Sequence, residues 1–359
     1  QAKTMKEILQ DYSEEQLKTL LAEYGEKPFR AGQIFRGLAS GKSISELTEL
    51  SLAFREKLKE RFADEAVKIV GEKVSKIDGT VKYLFALSDG NVIEGVLMKY
   101  KYGNTQCVST QVGCRMGCAF CASGIGGLVR NLTAGEIASE IYAVNRALGG
   151  TTEKRQVTNV VMMGSGEPLD NYDNSIRFIR NLSAKNGLNV SPRNVSLSTC
   201  GLVPAIDKLS LEGLDVNLTV SLHNPFDEKR KELMPIANKY KVAEILDACS
   251  RYFDKTGRRY IFEYSLVKGQ NDGKDCADEL IRLLRGRPCH VNLIRLNAVK
   301  EKHLEATSDK DAYRFLGLLE KGGLSATVRR QIGVDIDGAC GQLRRKFLNG
   351  EVEFEGQNR

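Results

Sequence analysis

The pattern of apolar and polar positions divides the chain into three stretches. Over residues 1–66 apolar residues recur at helical spacing. Ser13 and Gln16 make a capping-box pattern ahead of Leu17, Leu20 and Leu21, and residues 29–35 and 52–62 predict further short helices. Residues 67–103 change to strand character. The dipeptides Asp78-Gly79 and Asp89-Gly90 separate apolar runs at 81–87 and 92–97, which predicts a small antiparallel meander.

From about residue 104 the pattern is strand, loop, helix, repeated. Strands are predicted at 106–110, 158–163, 194–198, 216–222, 260–266 and 291–296, with helices at 134–148, 173–184, 243–254 and 277–284 between them. Thr133 and Glu136 cap the first of these helices and Gly149-Gly150 stops it. A helix at 312–319 precedes a seventh strand candidate at 326–330. Alternation of this kind implies an α/β fold with a parallel sheet and right-handed crossovers. Six units are too few for a closed eight-unit barrel, so an open, partial (βα)6 barrel is expected, with a doubly wound sheet as the alternative. In either, chemistry belongs at the C-terminal ends of the strands. The expected division is a helical accessory domain (1–66), an antiparallel β extension (67–103), the partial barrel (104–348) and a tail (349–359).

At 359 residues and 42% hydrophobic content the chain has ample material for a large core. No apolar run is long enough to span a bilayer, and no apolar stretch follows Lys3, Lys6 and Glu7, so neither a membrane segment nor a signal peptide is expected. The net charge is +7. Residues 1–66 are balanced, whereas residues 321–350 carry Lys321, Arg329, Arg330, Arg344, Arg345 and Lys346 against Asp335 and Asp337. A polyanionic partner would meet its strongest attraction there. Nine cysteines in a long chain do not make the disulfide scaffold of a small secreted domain, which points to a reducing, cytoplasmic setting.

Three of those cysteines stand together. Cys114, Cys118 and Cys121 have the spacing C-x3-C-x2-C, with Phe120 before the last, just after the first barrel strand. Three thiolates on one loop can hold three irons of a cubane cluster and leave the fourth open. A small chelating molecule, such as the amino and carboxylate groups of S-adenosylmethionine (SAM), can bind an open metal position. Zinc is the rival reading, in a non-catalytic RNA-binding protein. It usually brings a second Cys pair or a nearby His, and the nearest here, His223, is about a hundred residues away.

C-x3-C-x-aromatic-C resembles the signature of the radical SAM superfamily. The segments 107–114, 164–168, 197–201, 221–223, 291–297 and 335–342 are similar, in order, to those of the RlmN/Cfr family of rRNA adenine methyltransferases. The likeness runs from about residue 25 to 348. It implies a [4Fe–4S] cluster on Cys114, Cys118 and Cys121, and two SAM molecules per turnover. It further implies a SAM site lined by Gly166, Glu167, Ser198, Ser221, Leu222, His223 and Asn297. A strand-end Gly turn brings backbone close to a ligand, and a carboxylate such as Glu167 suits an ammonium group.

By the same resemblance Cys340, flanked by glycines, is the methyl carrier, Cys107 the resolving thiol that forms a transient disulfide with it, and Glu94 the proton acceptor. A carrier answers a chemical need: C2 of adenine is electron-poor and has no lone pair to attack an electrophilic methyl group. On sequence alone Cys340 and Cys107 read equally well as small buried hydrophobes, and Glu94 as a solvated strand carboxylate. Cys200, Cys249, Cys276 and Cys289 keep the buried reading. The implied substrate is an adenosine in 23S rRNA, with tRNA as a further candidate and C8 of the same base as the rival position. A reductant such as flavodoxin or ferredoxin and a monomeric state complete the expectation.

Overall fold

The structure, a computed structural model, describes residues 6–296, 303–336 and 341–351. Three helices open it: α1 (Glu14–Glu23), α2 (Phe29–Ala39) and α3 (Leu52–Arg61). Ser13 caps α1 as predicted, its hydroxyl accepting from the Gln16 amide while Gln16 returns a bond to the Ser13 amide. Leu17, Leu21, Ile34, Leu38, Leu58 and Phe62 bury a core of their own among these helices.

The helices lean on the next body through polar contacts. Glu46 receives both guanidinium prongs of Arg146, at 2.7 and 2.6 Å. Asp11 accepts from the Gly135 amide at 2.6 Å, at the start of the helix that carries Arg146.

The meander consists of β1 (Val67–Val74), β2 (Val81–Leu87) and β3 (Val92–Tyr100), antiparallel as expected. It extends the barrel sheet directly. β3 pairs antiparallel with β4 (Gly103–Cys107), which is also the first parallel strand of the barrel. Among the described residues the meander and barrel therefore form one ten-stranded sheet. The first barrel strand lies earlier than the predicted 106–110. The chain leaves the sheet after Cys107, and residues 111–113 instead form β5 (Gln111–Gly113), paired with β6 (Leu128–Asn131).

The barrel continues through β7 (Val157–Met162), β8 (Val195–Thr199), β9 (Asn217–Ser221), β10 (Tyr260–Leu266), β11 (Cys289–Arg295) and β12 (Ala326–Val328). Their order along the sheet is their order in sequence. A doubly wound sheet reverses its strand order at a switch point; this one does not, so the open, partial barrel is the arrangement found. The crossover helices are α4 (Ala134–Ala147), α5 (Tyr172–Leu182), α6 (Val203–Leu209), α7 (Asp227–Leu233), α8 (Val242–Thr256), α9 (Lys274–Leu284) and α10 (Asp309–Lys321). Strand residues such as Val160, Leu197, Leu218 and Phe262 pack against Ile141, Ile179 and Ile245 in the main core. Last comes α11 (Gln342–Leu348), which lies on β3 through Leu343.

The Glu46–Arg146 pair carries a pH prediction. The Arg146 guanidinium, helped by the Ser43 amide, holds the Glu46 carboxyl down at about 2. A depressed carboxylate contributes stability above its unfolded pKa and loses it as pH falls through the folded value. Acidification from pH 5 to 2 is expected to loosen the N-terminal helices from α4. Hydrogen exchange of α1–α3 amides measures this, and Glu46→Gln is expected to flatten the dependence.

Candidate active site

Residues 114–127 form a long loop stapled at its base by the β5–β6 ladder. The Cys114 amide donates to the Gly127 carbonyl at 3.0 Å. Gly113 has φ +79°, and a Cβ there would stand 2.0 Å from that carbonyl, so only glycine closes the staple. Farther out, the Ala119 amide donates to the Leu233 carbonyl at 2.8 Å. Phe120 sets its edge against the His223 ring at 4.7 Å. The tip of the loop is thereby fixed against the ends of β9 and α7.

Cys114, Cys118 and Cys121 line one open cavity of about 240 Å³. Gly166, Glu167, Ser198, Ser221 and His223 line it too. The structure therefore brings together eight of the ten residues implied for the cluster and SAM. Burial, with Cys121 and Glu167 nearby, pushes the Cys114 thiol up to about 11. Burial and the neighbouring cysteines raise Cys118 further. Thiols this reluctant to ionise need a cation to hold them as thiolates, and metal loading here should release protons. Among the described residues no three Cys, His, Asp or Glu side chains converge on a single ion. The ligands of a cubane each serve a separate iron, so the donor set fits a cluster better than a lone zinc.

The strand ends build the opposite wall. Gly164 and Gly166 pass so close to Val108, Thr110 and Gln111 that a Cβ at either would fall 2.8 Å or less from those residues. Glu167 is 4% exposed. Its Oε2 accepts from the Cys200 amide at 2.7 Å and its Oε1 from the Leu169 amide at 3.0 Å. It thus ties the ends of β7 and β8 together, and any ligand ammonium would share a carboxylate already at work. Cys200 is buried as read from sequence, yet it also lines the cavity.

His223 has φ +59°, unusual for a side-chain-bearing residue. Asn271 holds it there, its amide donating to the His223 carbonyl at 2.6 Å and to the Ser265 carbonyl at 2.7 Å. The His223 Nδ1 accepts from the Ser265 amide at 2.9 Å. Burial, reinforced by Arg230, pushes the imidazole down to about 3, so it is neutral and its Nε2 carries the proton. Leu222 does not join the cavity: its side chain is fully buried in the main core. Asn297 lies outside the described residues.

Two residues escaped the sequence reading. Asn271 is one. The other is Arg230, with no exposed surface, whose guanidinium donates to the carbonyls of Leu222, Cys200 and Ser221 at 3.0, 2.8 and 3.1 Å. It clasps the ends of β8 and β9 from beneath.

A second group lies on the sheet face shared by β2, β3 and β4. Cross-strand partners point to the same face, as do alternate residues of one strand. Val96 pairs with both Lys82 and Cys107, so Glu94, Val96, Lys82 and Cys107 share a face. Glu94 is 2% exposed and pairs with fully buried Lys82 at 3.3 Å. Its oxygens also accept from the amides of Gly341 and Arg344. Cys340 itself lies outside the described residues. Its neighbour Gly341 has φ +83°, and a Cβ there would stand 2.8 Å from the Ser123 amide, next to Cys121 on the cysteine loop.

The chain is similar to known proteins over nearly its whole length. The family model "Radical SAM superfamily" matches residues 108–284, and "Ribosomal RNA large subunit methyltransferase N-terminal domain" matches residues 8–63. A probable dual-specificity RNA methyltransferase RlmN of Lachnospira eligens is 50% identical over 344 residues, 95% of this chain and 97% of that one. Its namesake from Clostridium perfringens is 51% identical, covering 97% of this chain and 99% of that one. The crystal structure of a radical SAM methyltransferase from Sphaerobacter thermophilus superposes with a TM-score of 0.88 at 43% identity, covering 93% and 98% of the two chains. The cofactors that go with this fold are a [4Fe–4S] cluster and SAM. Fold, cysteine loop and near-complete coverage agree, and the chain belongs to the RlmN family of radical SAM RNA methyltransferases.

Proposed function

We propose that this enzyme methylates C2 of an adenosine in 23S rRNA, and adenosines of tRNA, through a methyl group carried on Cys340. In this reading Cys114, Cys118 and Cys121 hold the cluster. Gly166, Glu167, Ser198, Ser221 and His223 hold SAM, with Leu222 contributing main chain only and Asn297 completing the set. When bound, these cofactors supply the methyl group, an electron and the radical that activates the carried methyl. The accessory domain is residues 1–66. Flavodoxin or ferredoxin delivers the electron, and the enzyme works as a monomer in the cytoplasm, where thiols stay reduced.

The chain's own residues do the rest. The Cys340 sulfur presents the activated carbon to C2 of an adenine that has left its stack. After the C–C bond forms, the ring gives up an electron, for which the oxidised cluster would be the acceptor, and its C2 proton, which Glu94 accepts. The Cys107 thiolate then attacks the Cys340 sulfur. An S–S bond forms, the S–C bond breaks with its electron pair passing to the methylene carbon, that carbon takes up a proton to become the methyl group, and the methylated base leaves. Both Glu94 oxygens already accept from amides, so a proton taken up by this carboxylate would weaken the bonds that hold the Gly341–Arg344 turn.

The observation that carries this reading is the buried Glu94 carboxylate bonded to Gly341 and Arg344 on the face that bears Cys107. Those amides lie just after Cys340 in sequence, and the cysteine loop packs against Gly341. Among the described residues no helix is long and apolar enough to cross a membrane.

Cluster-reconstituted enzyme, incubated anaerobically with SAM, reductant and an rRNA fragment, is expected to yield 2-methyladenosine by mass spectrometry. A product containing only 8-methyladenosine would overturn the C2 assignment. Cys340→Ala is expected to abolish methylation, and turnover at the wild-type rate would remove the carrier. Cys107→Ala is expected to leave RNA covalently attached to protein, visible as a slow band on a denaturing gel. A Cys107→Ala enzyme with normal turnover and no adduct would rule out a resolving role.

A further inference from the structure

The turn joining β3 to β4 presents the sequence Lys99, Tyr100, Lys101, Tyr102. Tyr100 pairs with Gly103, which leaves only Lys101 and Tyr102 at the tip. Gly103 has φ +133°, and a Cβ there would collide with Thr158 of β7 at 2.2 Å, so the turn is seated directly on the barrel. The two tyrosine rings stack, centroids 5.0 Å apart and planes within 7°. Tyr100 is half-buried, packed in the apolar group that contains Met98, Cys107 and Met163. Met163 lines the active-site cavity. Tyr102 is 68% exposed. Lys99 and Lys101 are exposed on either side of Tyr100.

An exposed aromatic ring, held parallel to a second ring on a rigid two-residue turn and flanked by cations, has the chemistry of a base-stacking platform. Every nucleobase offers a π-face, and phosphates flank it at lysine reach. The position suits the reaction. Four residues of strand separate Gly103 from Cys107, about 13 Å. An RNA that extrudes its adenine toward Cys107 leaves a neighbouring base without a stacking partner.

We infer that Tyr102, backed by Tyr100, stacks a base next to the target adenosine while Lys99 and Lys101 bind the adjoining phosphates. The inference rests on the RNA-methyltransferase reading and assigns the RNA a landing site outside both the helical domain and the basic C-terminal segment. Stacking here partly repays the cost of extruding the target.

The test uses full-length enzyme with its cluster reconstituted and a fluorescein-labelled rRNA fragment spanning the target adenosine. Affinity is read by anisotropy over a series of salt concentrations. Tyr102→Ala is expected to weaken binding roughly ten-fold. Tyr102→Phe, which keeps the ring, is expected to bind like wild type, and both are expected to melt at the wild-type temperature because Tyr102 is exposed. The Lys99→Ala/Lys101→Ala double variant is expected to reduce the slope of log affinity against log salt by about 1.5. If wild type binds and methylates the fragment and Tyr102→Ala binds it equally well, the platform is wrong while the methyltransferase reading stands. Should wild type neither bind nor methylate it, both readings fall. A change confined to sedimentation behaviour would make the turn a self-association face and overturn the inference.

Discussion

The carboxylate of Glu94 is almost wholly out of water and has three donors around it: the ammonium of Lys82 and the amides of Gly341 and Arg344. A buried carboxylate without partners costs several kcal/mol, and so does the ammonium opposite it. Neither charge can be satisfied alone, so the pair and the turn it grips stand or fall together. That turn immediately follows Cys340, and Gly341 sits against the residues after Cys121. One ion pair thus fixes the spacing between the sheet face that carries Cys107, the C-terminal segment and the cysteine loop.

The meander gains a purpose from this constraint. Its first turn holds the same segment a few residues earlier. The Ser75 hydroxyl and the Lys76 amide donate to Asp335 at 2.6 and 2.9 Å, and Asp78 accepts from the Gly333 amide at 2.9 Å. Arg344 adds a bond to the Val92 carbonyl at 2.6 Å. The three antiparallel strands therefore extend the barrel sheet sideways into a dock for the stretch on either side of Cys340. Arg230 does the matching work across the cavity. Its positive charge faces the Cys118 and Cys200 thiols, and three carbonyls replace the water it lost.

Much of this was legible in the sequence, for identifiable reasons. Helices and strands with one apolar face declared themselves, and β2 and β10 fall where their apolar runs lie. The cysteine loop was legible because its spacing is itself the chemistry. The first barrel strand begins and ends earlier than its apolar run because residues 108–112 are as buried as a strand, while Gln111 and Val112 pair with β6 and not with the barrel. Leu222 is in the SAM set by the family resemblance, and its side chain, just past the end of β9, turns to the core instead. Arg230 was invisible because α7 reads Asp-Glu-Lys-Arg-Lys-Glu-Leu, a run that normally faces solvent. Only its spacing from Leu233 places it on the inner face, and a spacing of three cannot tell a buried cation from an exposed one.

The chemistry divides along the same line as the mechanics. Glu94 and Cys107 are on strands bonded to both neighbours, and such groups cannot wander during a reaction. The segment around Cys340 is attached instead by side-chain bonds from Ser75, Asp78 and Glu94, each exchangeable singly. A carrier sulfur, the role proposed for Cys340, must meet, in turn, a methyl donor, a nucleobase and a second thiol, and no single rigid position serves all three. With the roles proposed for Glu94, Cys107 and Cys340, fixing the first two in the sheet while the flanking segment is held through replaceable bonds would reconcile those demands. In the mechanism proposed above the Glu94 carboxylate is where they meet: a ring proton placed on it would weaken its bonds to the Gly341 and Arg344 amides. Proton transfer and release of the segment after Cys340 would then be coupled, because protonation removes the charge those amides are bonded to.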